Sequence, residues 1–186
     1  MFEGSNQRIP EYRSWVALCL GLGCKTYVEI GVGSSWEQHN AGMKVVTVDL
    51  LPNGMAGIPH IQGDSQDLAT LYSVLNHLGT QPHAVFIDGD HSTEAVRKDF
   101  DIWYSAATMV VGFHDILMDT VQPFWNEIKR QHPSVEIIGR DAGSANTWQH
   151  GSNSNGDLNV GGIGVLLKIR KSSTSQEPPE QTIRQM

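Results

Sequence analysis

The sequence predicts an α/β fold in which a doubly wound, mostly parallel sheet of seven strands carries an antiparallel pair at one edge. Apolar runs of strand length alternate along the chain with segments of helical periodicity, as in sheets covered by helices. The strand runs are continuously apolar, which is typical of parallel strands buried on both faces. No helical segment separates the last two runs, so we expect those two strands to pair antiparallel.

The predicted strands are short runs rich in β-branched and aromatic residues. They span residues 26–32, 44–50, 60–62, 84–88, 108–113, 135–139 and 163–169. The main helices have apolar residues three or four positions apart and span residues 10–22, 65–79, 93–107 and 121–132. We expect Ser65 to cap the helix that it begins and Gly79 to end that helix, and Ser34 or Ser35 to begin a further short helix.

The length and the composition of segments predict one domain with a tail. A chain of 186 residues has the size of one ordinary domain, and we assign residues 1–170 to it. Residues 171–186 have too few apolar side chains to bury and are predicted to be disordered. Residues 141–162 are rich in Gly, Ser and Asn and lack periodicity, which predicts a functional loop or a local hairpin.

Composition argues against several partners and compartments. The net charge of −7 disfavours partners such as nucleic acid or an anionic membrane surface. Cys19 and Cys24 are the two cysteines, and we expect both to be packed in the core and reduced, as in a cytoplasmic protein. No apolar run approaches the about 18 residues that span a bilayer, and the first residues do not form a signal peptide.

Unusual residues follow the first two strands. In doubly wound sheets, ligands bind beyond the carboxyl ends of the strands, where strand order reverses. Gly31 and Gly33 allow a sharp turn and a close approach to a ligand, and Ser34 begins a helix whose free N–H groups favour a polar ligand. Asp49 at the end of the second strand can accept both hydroxyls of a ribose. A tight turn and a solvated Asp explain each feature singly; together they favour a nucleoside-type cofactor.

Further polar residues follow the next three strands. Asp64 and Ser65 could contact an adenine ring, cap the next helix, or do both. The fourth strand ends in Asp88, Gly89, Asp90 and His91, and the fifth ends in His114 and Asp115. Burying so many titratable groups without partners is costly, and such clusters mark functional sites more often than stabilising ones. The alternative is a set of turn and cap residues.

The motifs VEIGVGSS, VVTVDL, GDS, FIDGDHSxEAVxxD and VxGFHDI occur in this order and resemble class I S-adenosylmethionine (SAM)-dependent methyltransferases. The closest subgroup carries IDGDH and HD at two strand ends and is often linked to O-methylation of sugars and natural products. The resemblance covers residues 26–169. It implies a Rossmann-like methyltransferase fold and transfer of a methyl group from SAM to a small-molecule hydroxyl. Loops or a second subunit would cover the site, so a homo-oligomer is one expectation.

The resemblance also implies which residues bind the cofactor. They are Glu29, Gly31, Gly33, Ser34, Asp49, Asp64, Ser65 and Asp88. Glu29 and the glycine backbone would hold the methionine part, and Asp49 would bind the ribose. Asp64 and Ser65 would lie beside the adenine, and Asp88 near the amino group of the cofactor or near a metal.

Some members of this family use a divalent metal held at the ends of the fourth and fifth strands. The matching residues are Asp88, His114 and Asp115. Carboxylate oxygens suit magnesium, whereas the histidine shifts the preference towards manganese. His91 is the expected general base, because a histidine pKa suits neutral pH, and His114 is the second candidate.

Two other functions fit parts of the pattern. A nicotinamide adenine dinucleotide (NAD)-dependent oxidoreductase would also use the glycine turn and Asp49, but Trp36 occupies a position where the dinucleotide fingerprint requires glycine. A non-catalytic module that binds a nucleoside is the other alternative, since Ser35 replaces a glycine that many family members have.

Overall fold

The computed structural model describes residues 9–32, 38–39, 41–52, 54–139 and 161–168. The strands are β1 Thr26–Ile30, β2 Lys44–Asp49, β3 His60–Gln62, β4 Ala84–Ile87, β5 Val110–Phe113, β6 Ser134–Ile137 and β7 Ile163–Leu167. The helices are α1 Ile9–Gly21, α2 Leu68–Leu78, α3 Thr93–Ala106 and α4 Gln122–Ile128. In this described part of the chain, no helix has the length and apolar character that crossing a membrane requires.

The seven strands form one sheet in the order β3-β2-β1-β4-β5-β7-β6. β1 pairs in parallel with β2 and β4, and the β2–β3 and β4–β5 pairs are parallel too. β7 runs antiparallel to both β5 and β6. The predicted sheet is therefore confirmed, including the antiparallel β6–β7 pair at one edge. Strand order reverses between β1 and β4, so ligands are expected beyond the carboxyl ends of these two strands.

Helices cover both faces of the sheet. Tyr27 of β1 points into the apolar cluster beneath α1, and the next residue, Val28, points into the cluster beneath α2, α3 and α4. Cys19 and Cys24 are buried free thiols in the cluster beneath α1, as expected. Because β1, β4 and β5 are buried along their whole length between these layers, the residues that follow them are held in place at the sheet edge.

The start of α2 differs from the prediction. Asp67 rather than Ser65 is the N-cap, and its side chain accepts a hydrogen bond from the amide of Ala69. Gly79 ends the helix in the left-handed conformation, with φ 71°, as expected. The prediction for Ser65 was wrong because the Ser65 side chain is bonded to another helix, as described below.

Several sequence predictions fall outside the described residues. These are residues 141–160 of the predicted loop, the tail 171–186 and most of the short helix expected after Ser34 or Ser35. Gly33, Ser34 and Trp36 lie outside as well. The predictions made for these residues stay predictions.

Candidate active site

The turn after β1 lies against the end of β4. Gly31 has a φ of 81°, and a Cβ atom at this position would overlap the carbonyl oxygen of Asp88. The Asp88 amide donates a hydrogen bond to the Ile30 carbonyl, 2.8 Å away, which holds the two strand ends together. Only glycine therefore fits this turn, and it places the predicted cofactor turn directly beside Asp88.

Asp49 ends β2, which pairs with β1 on the side opposite β4. One carboxylate oxygen accepts a hydrogen bond from the Val32 amide at 3.0 Å, and the other accepts from the Leu51 amide at 2.9 Å. A carboxylate can accept about four hydrogen bonds, so both oxygens retain capacity for ribose hydroxyls. The side chain is half-buried and fixed in orientation at the predicted ribose site.

Glu29 is fully buried in β1, next to a network that the sequence did not predict. The Tyr12 hydroxyl lies 3.4 Å from a Glu29 carboxylate oxygen and donates a hydrogen bond to the Gln38 side chain at 2.8 Å. Burial and the nearby Glu29 carboxylate raise the pKa of Tyr12 well above its ordinary value. The Glu29 carboxyl group beneath the turn therefore has a polar neighbour from α1, and that neighbour is bonded in turn to the segment after β1.

Ser65 is held by two side chains of α3. Its hydroxyl donates a hydrogen bond to Oδ1 of Asp99 at 2.7 Å, and its carbonyl accepts one from the Trp103 indole at 2.9 Å. Burial raises the pKa of Asp99 to about 6, and the nearby carboxylates of Asp64 and Asp90 act in the same direction. Asp99 was not predicted as a site residue, although it is the last letter of the FIDGDHSxEAVxxD motif.

Four titratable side chains converge beyond β4 and β5. They are Asp88, His91, His114 and Asp115, and one ligand-capable atom of each lies within 4.8 Å of the others. Asp88 Oδ1 lies 3.0 Å from His114 Nδ1 and 3.2 Å from His91 Nε2. Asp115 Oδ2 lies 3.4 Å and 3.5 Å from the same two nitrogens. The structure thus brings together the three predicted metal ligands and adds His91; Asp90 is exposed and instead accepts from the Ser92 amide.

The charges of this cluster stabilise one another. Burial by itself would raise the pKa of Asp88, but the His114 and His91 imidazoles hold it well below its usual range. Burial would lower the pKa of His114 and His91, yet Asp88 and Asp115 raise both above the usual value. The two carboxylates therefore favour the protonated form of both imidazoles, and the imidazoles favour the ionised form of Asp88 and Asp115. A divalent cation would replace the imidazole protons, because only the neutral nitrogen binds a metal.

Asp115 has an unusual backbone conformation. It is the non-glycine residue with a positive φ, 53°, in the described part of the chain. Its Oδ1 accepts a hydrogen bond from the Gly161 amide at 2.6 Å, while its Oδ2 faces the two histidines. Strained conformations of this kind persist where surrounding contacts hold them, and they concentrate at functional sites.

No family model matches the chain, and no curated protein matches it. Among solved structures, the O-methyltransferase from Bacillus cereus in complex with S-adenosylhomocysteine (SAH) has a TM-score of 0.57 and 14% identity, over 88% of this chain and 83% of that one. The O-methyltransferase TomG from Streptomyces achromogenes, involved in tomaymycin synthesis and in complex with SAM, has a TM-score of 0.52 and 14% identity, over 86% and 80%.

The MycE methyltransferase from the mycinamycin biosynthetic pathway, in complex with Mg, SAH and mycinamycin VI, has a TM-score of 0.47 and 19% identity. That match covers 57% of this chain and spans 33% of the length of MycE. At 14% identity, the matches to the Bacillus cereus enzyme and to TomG establish the fold alone. The chain therefore has the Rossmann-like fold of these two O-methyltransferases.

Proposed function

We propose that this protein is a SAM-dependent methyltransferase that methylates a hydroxyl group of a small molecule with the help of a divalent metal. The observation that carries the proposal is the position of the Asp88, His91, His114 and Asp115 cluster beside the Gly31 turn. A cofactor on that turn would lie within reach of a metal-bound acceptor. The fold shared with O-methyltransferases supports the same function.

The cofactor would extend along the carboxyl ends of β4, β1, β2 and β3. Glu29 and the backbone at Gly31 and Gly33 would hold the methionine part, and Asp49 would bind the ribose through lone pairs not used by Val32 and Leu51. Ser34, Asp64 and Ser65 would complete the cofactor contacts. This order follows the strand order, because β2 and β3 lie successively farther from the cluster.

The cluster is chemically suited to a divalent ion. Beside His91 it offers two carboxylates and the imidazole of His114, a mixed set of oxygen and nitrogen donors that favours manganese or a similar ion over magnesium. Asp88, His114 and Asp115 would be the ligands. A bound ion there would lower the pKa of an acceptor hydroxyl.

The two histidines differ in access. The His114 side chain is 7% exposed, which suits a ligand, whereas the His91 side chain is 33% exposed and can meet an acceptor. In the proposed reaction His91 accepts the hydroxyl proton as the acceptor oxygen bonds to the methyl carbon and the carbon–sulfur bond of SAM breaks. Transfer is in-line, so the main task of the protein is to position the two reactants.

Calorimetry with SAM and with SAH tests cofactor binding by the folded protein. We expect saturable binding of both and none of NADH. Folded protein that binds neither would refute the proposed function, and binding of NADH in their place would favour the oxidoreductase. Binding without transfer to any acceptor of a broad hydroxyl panel, with manganese present, would leave a nucleoside-binding module.

A methyl-transfer assay, together with SAH calorimetry, tests the assignment of the base. The His91→Gln variant should lose most of its turnover while keeping its affinity for SAH, because the imidazole acts on the acceptor proton rather than on the cofactor. The His77→Gln variant is the control, since His77 is exposed on α2, and it should retain full turnover. Full turnover by His91→Gln would exclude His91 as the base.

A further inference from the structure

A buried carboxylate on α3, that of Asp99, orients the Ser65 hydroxyl. Asp99 and Trp103 lie one helical turn apart on α3, with exposures of 1% and 0%, and they bind the hydroxyl and the carbonyl of Ser65, respectively. The loop that carries Ser65 is also tied to the predicted ribose site, because the Gly63 amide donates to the Asp49 carbonyl at 2.8 Å. Ser65 therefore has a defined position, two residues after Gly63, which is bonded to Asp49.

This arrangement determines which hydrogen bonds Ser65 can still make. Burial raises the pKa of Asp99 to about 6, so Asp99 is mainly ionised at neutral pH and can only accept hydrogen bonds. A serine hydroxyl has one proton, and here it points to Asp99. The oxygen of Ser65 retains only lone pairs, and it can therefore only accept from a ligand.

We propose that Asp99 is a positioning residue that makes Ser65 a dedicated hydrogen-bond acceptor, so that the site selects a purine with an amino group at C6 over one with a carbonyl there. The inference rests on the proposed function, in which Ser65 lies beside the purine ring of the cofactor. An amino group donates to Ser65 and is bound. A carbonyl places two acceptors against each other and is rejected.

If Asp99 served only to anchor the Ser65 loop, it would not need to carry a charge. An asparagine could also accept from Ser65, without the cost of burying a carboxylate near Asp64 and Asp90. An asparagine can rotate, however, and donate to Ser65 instead, which would free the serine proton for a ligand carbonyl. Only a carboxylate makes the polarity of Ser65 unambiguous.

The experiment compares the dissociation constants of SAH and of its C6-carbonyl analogue S-inosylhomocysteine by calorimetry. The wild-type protein should prefer SAH by about tenfold or more, because a mismatched pair leaves buried polar groups unsatisfied. The Asp99→Asn variant should narrow this preference about fivefold or more. The Asp101→Asn variant carries the same change on the exposed side of α3 and should keep the wild-type ratio.

The outcomes separate the two proposals. Wild-type protein that binds neither ligand refutes the proposed function and leaves the ratio undefined. Wild-type protein that binds both equally, or an Asp99→Asn variant that weakens both by the same factor, overturns the role of Asp99 while SAM binding stands. If Asp99→Asn does not fold, the Asp99→Ser variant repeats the comparison, since serine too can donate to Ser65. Whether or not Asp99→Asn folds, the Ser65→Ala variant should bring the ratio of the two dissociation constants close to one.

Discussion

His114 Nδ1 lies 3.0 Å from Asp88 Oδ1 and joins the end of β5 to the end of β4. Because β4 and β5 are adjacent parallel strands, their last residues meet at the same edge, directly beyond the point where strand order reverses. This pair combines a predicted metal ligand with a predicted cofactor residue. It is the part of the site on which the proposed chemistry depends most directly.

The first prediction concerns the metal. Manganese should stabilise the folded wild-type protein and so raise its thermal midpoint. At a manganese concentration a hundred times the dissociation constant, the free energy of unfolding should rise by about 2.7 kcal/mol. The increment should be smaller with magnesium, since one of the three proposed ligands is the imidazole nitrogen of His114. Differential scanning fluorimetry with and without each ion measures this.

The Asp88→Asn variant should lose the manganese increment, whatever its own stability without metal. The Asp90→Asn variant is the control from the same loop, where Asp90 is exposed and bonded to the Ser92 amide, and it should keep the increment. An increment that survives Asp88→Asn would show that manganese binds elsewhere.

The second prediction is a pH dependence that comes from Asp99. Its pKa is about 6 in the folded protein against an ordinary 3.8, so between these values the folded state holds a proton that the unfolded state releases. The stability contributed by the protonated form is complete below pH 3.8 and is lost as the pH rises through about 6. The Asp99→Asn variant lacks this loss, so it should gain about 2 kcal/mol on the wild type between pH 4 and pH 7.

Urea unfolding at a series of pH values checks this difference. The Asp101→Asn variant should run parallel to the wild type, because Asp101 is exposed. A difference between Asp99→Asn and wild type that does not change with pH would mean that burial has not raised the pKa of Asp99.

The third prediction separates crowding from backbone strain in the turn after β1. Gly31 and Gly57 have the same φ of 81°, but a Cβ atom at Gly57 meets nothing within 4 Å, whereas one at Gly31 overlaps the Asp88 carbonyl. Gly57→Ala should cost about 1–2 kcal/mol, the strain of a left-handed conformation. Gly31→Ala should cost about 3 kcal/mol or more, because crowding against backbone adds to that strain.

Urea unfolding of both variants, with SAH calorimetry on each, measures the comparison. Gly31→Ala should also weaken SAH binding, since the turn must move away from Asp88, and Gly57→Ala should not. Equal costs for the two substitutions would show that the turn has room for a side chain.

The fourth prediction concerns a buried carboxylate on α1. Glu11 accepts hydrogen bonds from the Gly139 amide at 2.6 Å and from the Gly162 amide at 3.0 Å, and so connects α1 to the residues after β6 and before β7. A glutamine has one oxygen for these two donors, so Glu11→Gln should cost about 1–3 kcal/mol. Glu94→Gln, at an exposed ion pair with Lys98, should leave the stability almost unchanged, because solvent screens the pair. Similar small effects for both would mean that Glu11 is not needed as an anchor.

Periodicity and strand-end chemistry were enough to predict much of the molecule. The continuous apolar runs identified the buried strands β1, β2, β4, β5 and β7, because burial between two helical layers leaves no polar face. The clustering of Asp88, His114 and Asp115 followed from their positions after adjacent parallel strands. The cap of α2 was mispredicted, since Ser65 and Asp67 are both good capping residues by local rules.

By itself, the sequence determined the order of strands and helices and the edge of the sheet where polar residues gather, because these depend on local patterns and on strand direction. Only the tertiary structure decided which of those residues touch. Three of these contacts link segments that are distant in the chain. They are the Ser65–Asp99 hydrogen bond, the contacts of His91 with His114 and Asp115, and the two hydrogen bonds that Glu11 accepts. Such contacts depend on how α1 and α3 dock against the sheet, and docking is set by the packing of the whole core rather than by any local pattern.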